Sequence, residues 1–279
     1  DIAVSSYSIG STVYDNFVKP DTLIIRRTDG SRFINIWYEL LTDPSGQEQT
    51  LDLAPTESVD ADLIYQNRVV NAGYDNVLVN EDDEQAGAQA ETERVDIIWF
   101  TGVVTCKPDN AIFPVVERGG NDEVKVAAIT SLDANGNPDG YSDMVSITDD
   151  DWPYPPEAVV PADGELTKFD NFLLLRRQTV GQDPLPLINI GTYREEADPP
   201  QEAQTVQGVA VSFTELGISP NQVVYCYSIF ASDVDDAIHD LTDITTFPTD
   251  TKASDSGLDL VAGVTAAVSS DNCLTAAIG

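Results

Sequence analysis

One histidine, three cysteines, one methionine and 14 basic residues are all that 279 residues supply of the groups most used for nucleophilic, metal and nucleic-acid chemistry. Against 48 acidic residues, those bases leave a formal net charge of −34. Duplex nucleic acid binds through clustered cations, so it is excluded as a natural partner. A Ser-His-Asp set has a single candidate base, His239. It sits in Asp233-Val-Asp235-Asp236-Ala-Ile-His239-Asp240, where carboxylates favour the charged imidazolium, a poor general base. One histidine also argues against a zinc or copper site built on imidazoles. Cys106, Cys226 and Cys273 are too few and too scattered for a disulfide framework or a zinc ribbon, and at most one pair can form. Cys106 and Cys226 lie in or beside apolar runs, where a mutual bridge and two buried thiols fit equally well, leaving Cys273 over. No apolar run reaches the 18 residues that span a bilayer. Neither a Walker-type loop nor a dinucleotide fingerprint is present.

What the chain does have is 42% hydrophobic and 8% aromatic residues, a composition able to bury a core beneath the acidic surface. Asp outnumbers Glu by 33 to 15, which suits a surface hydrated by short carboxylates in concentrated salt or a calcium-rich medium. Self-repulsion destabilises a compact state and screening relieves it, so a halophilic or marine setting is expected. The first residue is Asp1 rather than Met, so the chain is expected to be processed, as after removal of an export signal.

Strands are expected at Thr22 to Thr28, Arg32 to Leu41, Val95 to Val104, Ala111 to Glu117, Glu123 to Ser131, Asn171 to Gln178, Leu187 to Tyr193, Thr205 to Phe213 and Gln222 to Ser232. None of the chain holds an apolar stripe of helical period beyond three turns. The fold class is therefore all-β, an antiparallel β-sandwich of jelly-roll or Ig-like type. In Arg32 to Glu39 both alternating faces carry apolar bulk, which predicts a strand covered on both sides. Turn residues recur at Thr28-Asp29-Gly30, Asp43-Pro44-Ser45-Gly46, Arg118 to Asp122 and Asn135 to Gly140.

Four prolines in residues 151–164 predict an extended linker between a β half or domain at 1–150 and a second at 165–249. Across that linker Asp15-Asn16-Phe17 recurs as Asp170-Asn171-Phe172, Leu23 to Arg27 as Leu173 to Arg177, and Ile34-Asn35-Ile36 as Ile188-Asn189-Ile190, in the same order. This predicts two similar half-repeats. The acidic stretch Asn80 to Glu93 is expected to be a mobile loop or a short solvated helix. Residues 250–279 form an apolar tail with Leu258, Leu260, Val261 and Val264. Such an end is expected to be tied down, in its own domain or as an arm in a neighbouring subunit.

Hard oxygen ligands are in excess, so calcium is the best-supported small partner. Asp133, Asn135, Asn137 and Asp139 alternate, with Gly136 and Gly140 among them and Asp143 following, like the first half of a calcium loop. The terminal bidentate Glu and flanking helices are missing, which favours a simple Asn-Gly hairpin turn. Asp149-Asp150-Asp151 and the Asp233 to Asp236 run are weaker alternatives. Each of the pairs Arg26-Arg27 and Arg176-Arg177 should send one guanidinium inward, where it needs a carboxylate. Trp37, Trp99, Tyr38, Tyr225 and Tyr227 could line a sugar platform, but at strand spacing aromatics belong first to the core. With 48 acids, carboxylate pairs at glycosidase spacing carry no information.

Phe113-Pro-Val-Val-Glu-Arg-Gly-Gly-Asn-Asp122, Ala127-Ala-Ile-Thr-Ser-Leu-Asp133, Phe247-Pro-Thr-Asp-Thr251 and Ser256-Gly-Leu-Asp-Leu-Val-Ala-Gly263 resemble segments of secreted β-rich surface proteins of Bacteroidota and related marine bacteria. The resemblance implies an exported, adhesin-like module with no catalytic residue to carry over. The sequence thus predicts an extracellular, non-enzymatic structural protein that assembles with itself into a filament, tube or surface layer, or mediates adhesion. The alternative is a calcium-dependent carbohydrate-binding module recognising surface glycans.

Overall fold

The computed structural model describes residues 5–9, 11–28, 33–39, 51–57, 72–74, 77–80, 92–118, 122–148, 151–152, 206–252, 256–261, 266–269 and 273–276. Fourteen strands occur among them: β1 (Tyr7–Ile9), β2 (Thr12–Val18), β3 (Thr22–Arg27), β4 (Phe33–Glu39), β5 (Leu51–Glu57), β6 (Ala72–Tyr74), β7 (Thr92–Val104), β8 (Ala111–Arg118), β9 (Val124–Leu132), β10 (Pro138–Ile147), β11 (Val206–Ser212), β12 (Val223–Ala231), β13 (Ala266–Ser269) and β14 (Thr275–Ala276). No helix among the described residues is long and apolar enough to cross a membrane.

All pairings are antiparallel. A five-stranded sheet runs β1-β2-β13-β8-β11, a six-stranded one runs β10-β9-β12-β7-β14 with β3 also on β7, and a small one runs β5-β4-β6. The two large sheets form the expected sandwich. Phe113 of β8 bridges them, its ring 4.4 Å from that of Tyr227 of β12 and 6.1 Å from that of Trp99 of β7. Phe213 closes the stack at 4.5 Å. Each such aromatic pair adds about 0.5–1.5 kcal/mol beyond its buried area.

β11 and β12 follow the Pro-rich segment, yet they pair with β8, β7 and β9, which precede it. Of that segment Asp151 and Trp152 are described; the Trp152 indole donates to the Asp122 carbonyl. Predicted strands Asn171 to Gln178 and Leu187 to Tyr193, and with them the second half-repeat, lie outside the described residues. The centre of the acidic stretch does too, but its ends are buried: Asn80 begins it and Glu93 is the second residue of β7.

A free inter-subunit arm at 250–279 is replaced by strands of the chain's own sheets. β13 lies between β2 and β8, with Ala267 opposite both Phe17 and Ile112. Leu258, Leu260 and Val261 bridge to Val77, Glu117 and Gly73. Their apolar side chains are fully buried, which explains a greasy tail without a partner subunit.

The cysteine pairing is also corrected. Cys106 bonds Cys273, and Cys226 is the buried free thiol. The reason is register: Thr275 lies opposite Val104, so continuing the ladder two residues sets Cys273 against Cys106, their Cα atoms 5.8 Å apart. Burial pushes the Cys226 thiol well above its ordinary pKa and keeps it neutral.

β7 bulges where Val103 pairs with Val224 but Ile98 with Cys226, so Trp99 to Gly102 stand opposite Tyr225 alone. Gly102 makes this turn at φ +67°, and a Cβ there would meet Val223 Cγ1 at 2.8 Å. Gly102→Ala is therefore expected to cost about 1–3 kcal/mol through backbone strain alone, read as a lower urea midpoint at unchanged slope. A midpoint equal to wild type would show that the bulge relaxes freely.

Candidate functional site

Alternation along β7 places two kinds of residue on its two buried faces. Val95, Ile97 and Trp99 point into the sandwich, while Arg94 and Asp96 point outward, beneath the irregular segment 232–252. That segment covers the outer face of the six-stranded sheet. Phe247 packs against Phe230 at 6.0 Å, the Lys125 ammonium donates to the Val234 carbonyl, and Arg94 donates to the Leu241 carbonyl. A charged pair would be ruinous here unless fully satisfied.

It is satisfied by a cluster centred on Asp96, whose side chain is 0% exposed. One carboxylate oxygen accepts from Arg94 Nε at 2.7 Å and from Ser228 Oγ at 2.6 Å. The other accepts from Arg26 Nε at 2.7 Å and Arg94 Nη2 at 3.1 Å. Tyr141 donates to Asp96 at 3.5 Å and shares a hydrogen bond with Ser228 at 3.1 Å; its ring lies 5.6 Å from the Arg94 guanidinium. Burial, and then the Asp96 charge, push the Tyr141 phenol well above its ordinary pKa, so it stays a neutral donor. Burial works against the Arg94 cation, but the Asp96 charge and hydrogen bonds outweigh it and hold its pKa above the usual value. The carboxylate is thus saturated by donors, an arrangement suited to fixing β3, β7, β10 and β12 together.

Arg26 has the carboxylate partner expected for one member of Arg26-Arg27, but it meets Asp96 on the outer face of the six-stranded sheet and not inside the sandwich. Its partner Asp96 carries a signal that strand spotting passes over: a single acid inside the buried run Val95 to Trp99. Residues Arg176 and Arg177 lie outside the described residues.

Arg26 also reaches the predicted calcium loop. Its Nη2 donates to Asn137 Oδ1 at 2.9 Å. Asp133, Asn135 and Asn137 come together in the turn between β9 and β10, where the Asp133 carboxylate accepts the backbone N–H groups of Asn135 and Asn137, both at 2.8 Å, and the Asn137 side-chain amide. These hydrogen bonds lower the Asp133 pKa. Gly136 makes the turn at φ +85° with the exposed Phe100 ring lying over it. Asp139 and Asp143 sit apart on β10, both exposed, with Asp143 directed at Gly217. Oxygen atoms of the turn are thereby engaged with its own N–H groups and with a guanidinium. Among the described residues, no group of three or more His, Cys, Asp or Glu gathers to hold a metal ion.

Of the aromatics considered as a sugar platform, Trp99 and Tyr227 are core, and Tyr225 is half-buried against Gly102. The Trp37 and Tyr38 side chains lie outside the described residues. His239 accepts the Asp235 N–H on Nδ1 at 2.9 Å and its ring stands 6.3 Å from Phe247, so it closes a turn. The chain matches no protein family, no characterised protein and no solved structure.

Proposed function

We propose that this chain is an exported structural protein that associates with copies of itself along the edge of β11 that has no partner among the described residues, giving an extracellular filament, layer or adhesive surface. The observation that carries this reading is the contrast between the sheet edges. β10, one edge of the six-stranded sheet, has three register shifts against β9 and carries Asp139 and Asp143, and β3, which pairs with β7 alone, has a shift at Arg26 and Arg27. Bulges and charges of this kind blunt an edge against further pairing. β1 and β14 are two or three residues long. β11 has neither protection: Val206 to Ser212 pair with β8 over seven residues without a shift, and none of them is charged.

Among the described residues β11 has a hydrogen-bonded neighbour on one side only, so its other side offers main-chain donors and acceptors to an added strand. A net charge of −34 opposes the approach of a second copy until salt screens it. Association is therefore coupled to a saline medium. A disulfide between two exposed cysteines supports an oxidising compartment, hence export.

Light scattering tests the reading. At about 1 M salt, where the Debye length is near 3 Å, wild type is expected to form large particles. Ala210→Lys, on the face of β11 opposite Val209 and Val211, is expected to remain monomeric. Wild-type monomer at every salt concentration, or undiminished assembly of the lysine variant, overturns it.

A further inference from the structure

Asn80 and Thr251 meet where the irregular segment after β12 crosses the residues leading into β7. The Asn80 N–H donates to the Thr251 carbonyl at 3.2 Å. The Asn80 side chain is then gripped at both ends. Its Oδ1 accepts the Thr251 N–H at 2.6 Å, and its Nδ2 donates to the Pro248 carbonyl at 2.7 Å and to Glu93 Oε2 at 3.2 Å. The Thr251 hydroxyl donates to the Asp233 carboxylate at 2.8 Å. Asn80 is 4% exposed, Glu93 2% and Thr251 1%.

These contacts supply each group that acyl transfer from a carboxamide to a hydroxyl requires. The hydroxyl has a carboxylate to take its proton. The carbonyl oxygen already holds a backbone N–H, and that N–H belongs to the nucleophile's own residue, as in the oxyanion site of serine hydrolases. The nitrogen that must leave touches a carboxyl group. Asn80, Glu93 and Thr251 are buried, which holds the hydroxyl beside the carboxamide and shields the product, while Asp233 reaches them from the surface.

We propose that Thr251 Oγ1 attacks Asn80 Cγ and forms an intramolecular ester between β7's leading residues and the irregular segment. The hydroxyl proton passes to Asp233 as the new C–O bond forms, and the Thr251 N–H stabilises the oxyanion on Oδ1. The C–Nδ2 bond then breaks as the proton taken from the hydroxyl passes from Asp233 to nitrogen, which departs as ammonia, while Glu93 Oε2 accepts from Nδ2 and orients it. One amide and one hydroxyl become one ester and one ammonia, with no change of oxidation state. The cross-link spans 171 residues, alongside the 167 spanned by the disulfide, and unlike the disulfide it resists reductants.

Intact-mass measurement of the full chain after denaturation and reduction decides the matter. The expected mass lies about 17 Da below that of the sequence, one ammonia, and digestion yields the Asn80 and Thr251 peptides joined. Thr251→Ser keeps the deficit and Thr251→Val restores the sequence mass. A wild-type chain at full sequence mass overturns the proposal. So does a deficit that persists in Thr251→Val with unjoined peptides, as a succinimide at Asn135-Gly136 would give.

Discussion

Asp96→Asn should lower the unfolding free energy by about 3–5 kcal/mol, a large part of the 5–15 kcal/mol typical of a folded domain. The substitution keeps the shape of the side chain but removes the one negative charge shared by two guanidinium groups. Arg26, with 22% of its side chain exposed, can turn back to water. Arg94, at 3%, cannot, since its neighbours Tyr141 and Leu241 hold it beneath the irregular segment. The cost is therefore an unpaired buried cation. Arg26→Met should cost visibly less than Asp96→Asn. The double variant Asp96→Leu with Arg94→Met should recover much of the loss, because an apolar pair of similar volume needs no compensation. Urea unfolding monitored by tryptophan fluorescence measures all three. A loss under about 1 kcal/mol for Asp96→Asn would mean that water reaches Arg94.

Ending the chain after residue 261 should abolish cooperative folding altogether. It removes β13 from between β2 and β8, and β14 with Cys273 from the edge of β7. A five-stranded sheet would be split in its interior, with the ladders of Phe17 and Ile112 both left without the strand they share. Cys273→Ser separates the contributions, for it leaves β13 in place. Opening a 167-residue loop removes a restriction on the unfolded chain worth about 5 kcal/mol by the chain-entropy account. The point variant should still melt in one transition at a lower temperature, while the truncated chain should show none by circular dichroism. A truncated chain that melts sharply would show that β2 and β8 can close upon one another.

Six of the predicted strands, β3, β7, β8, β9, β11 and β12, could be read from sequence because β-branched and aromatic runs mark them. β4 was legible for the same reason, and it is the central strand of its sheet. β10 was not. Its Pro138-Asp139-Gly140 start reads as a turn, and its edge position permits Ser142, Asp143 and Ser146, which no apolar pattern announces. β2 was hidden by Asp15 and Asn16, and β13 by the alanines that let it fit between two neighbours. At the site, a carboxylate partner for one of Arg26 and Arg27 followed from strand alternation alone. The identity of its partner did not, since it depends on β3 lying beside β7, a pairing across 70 residues. Strand order is the part of an antiparallel fold that local pattern leaves open. For the same reason the Cys106–Cys273 pairing became visible only through the register of β14.

The place of β13 also sets a timetable. Phe17 waits for Ala267, about 250 residues later in the chain, and at a synthesis rate of roughly 5–20 residues per second that wait lasts on the order of 12–50 s. Once β8 has been made, β2 and β8 await the strand that belongs between them, each with an edge open to any strand that arrives first. Such non-local closure makes for slow folding. It places the closing of the five-stranded sheet after its other four strands have all been made.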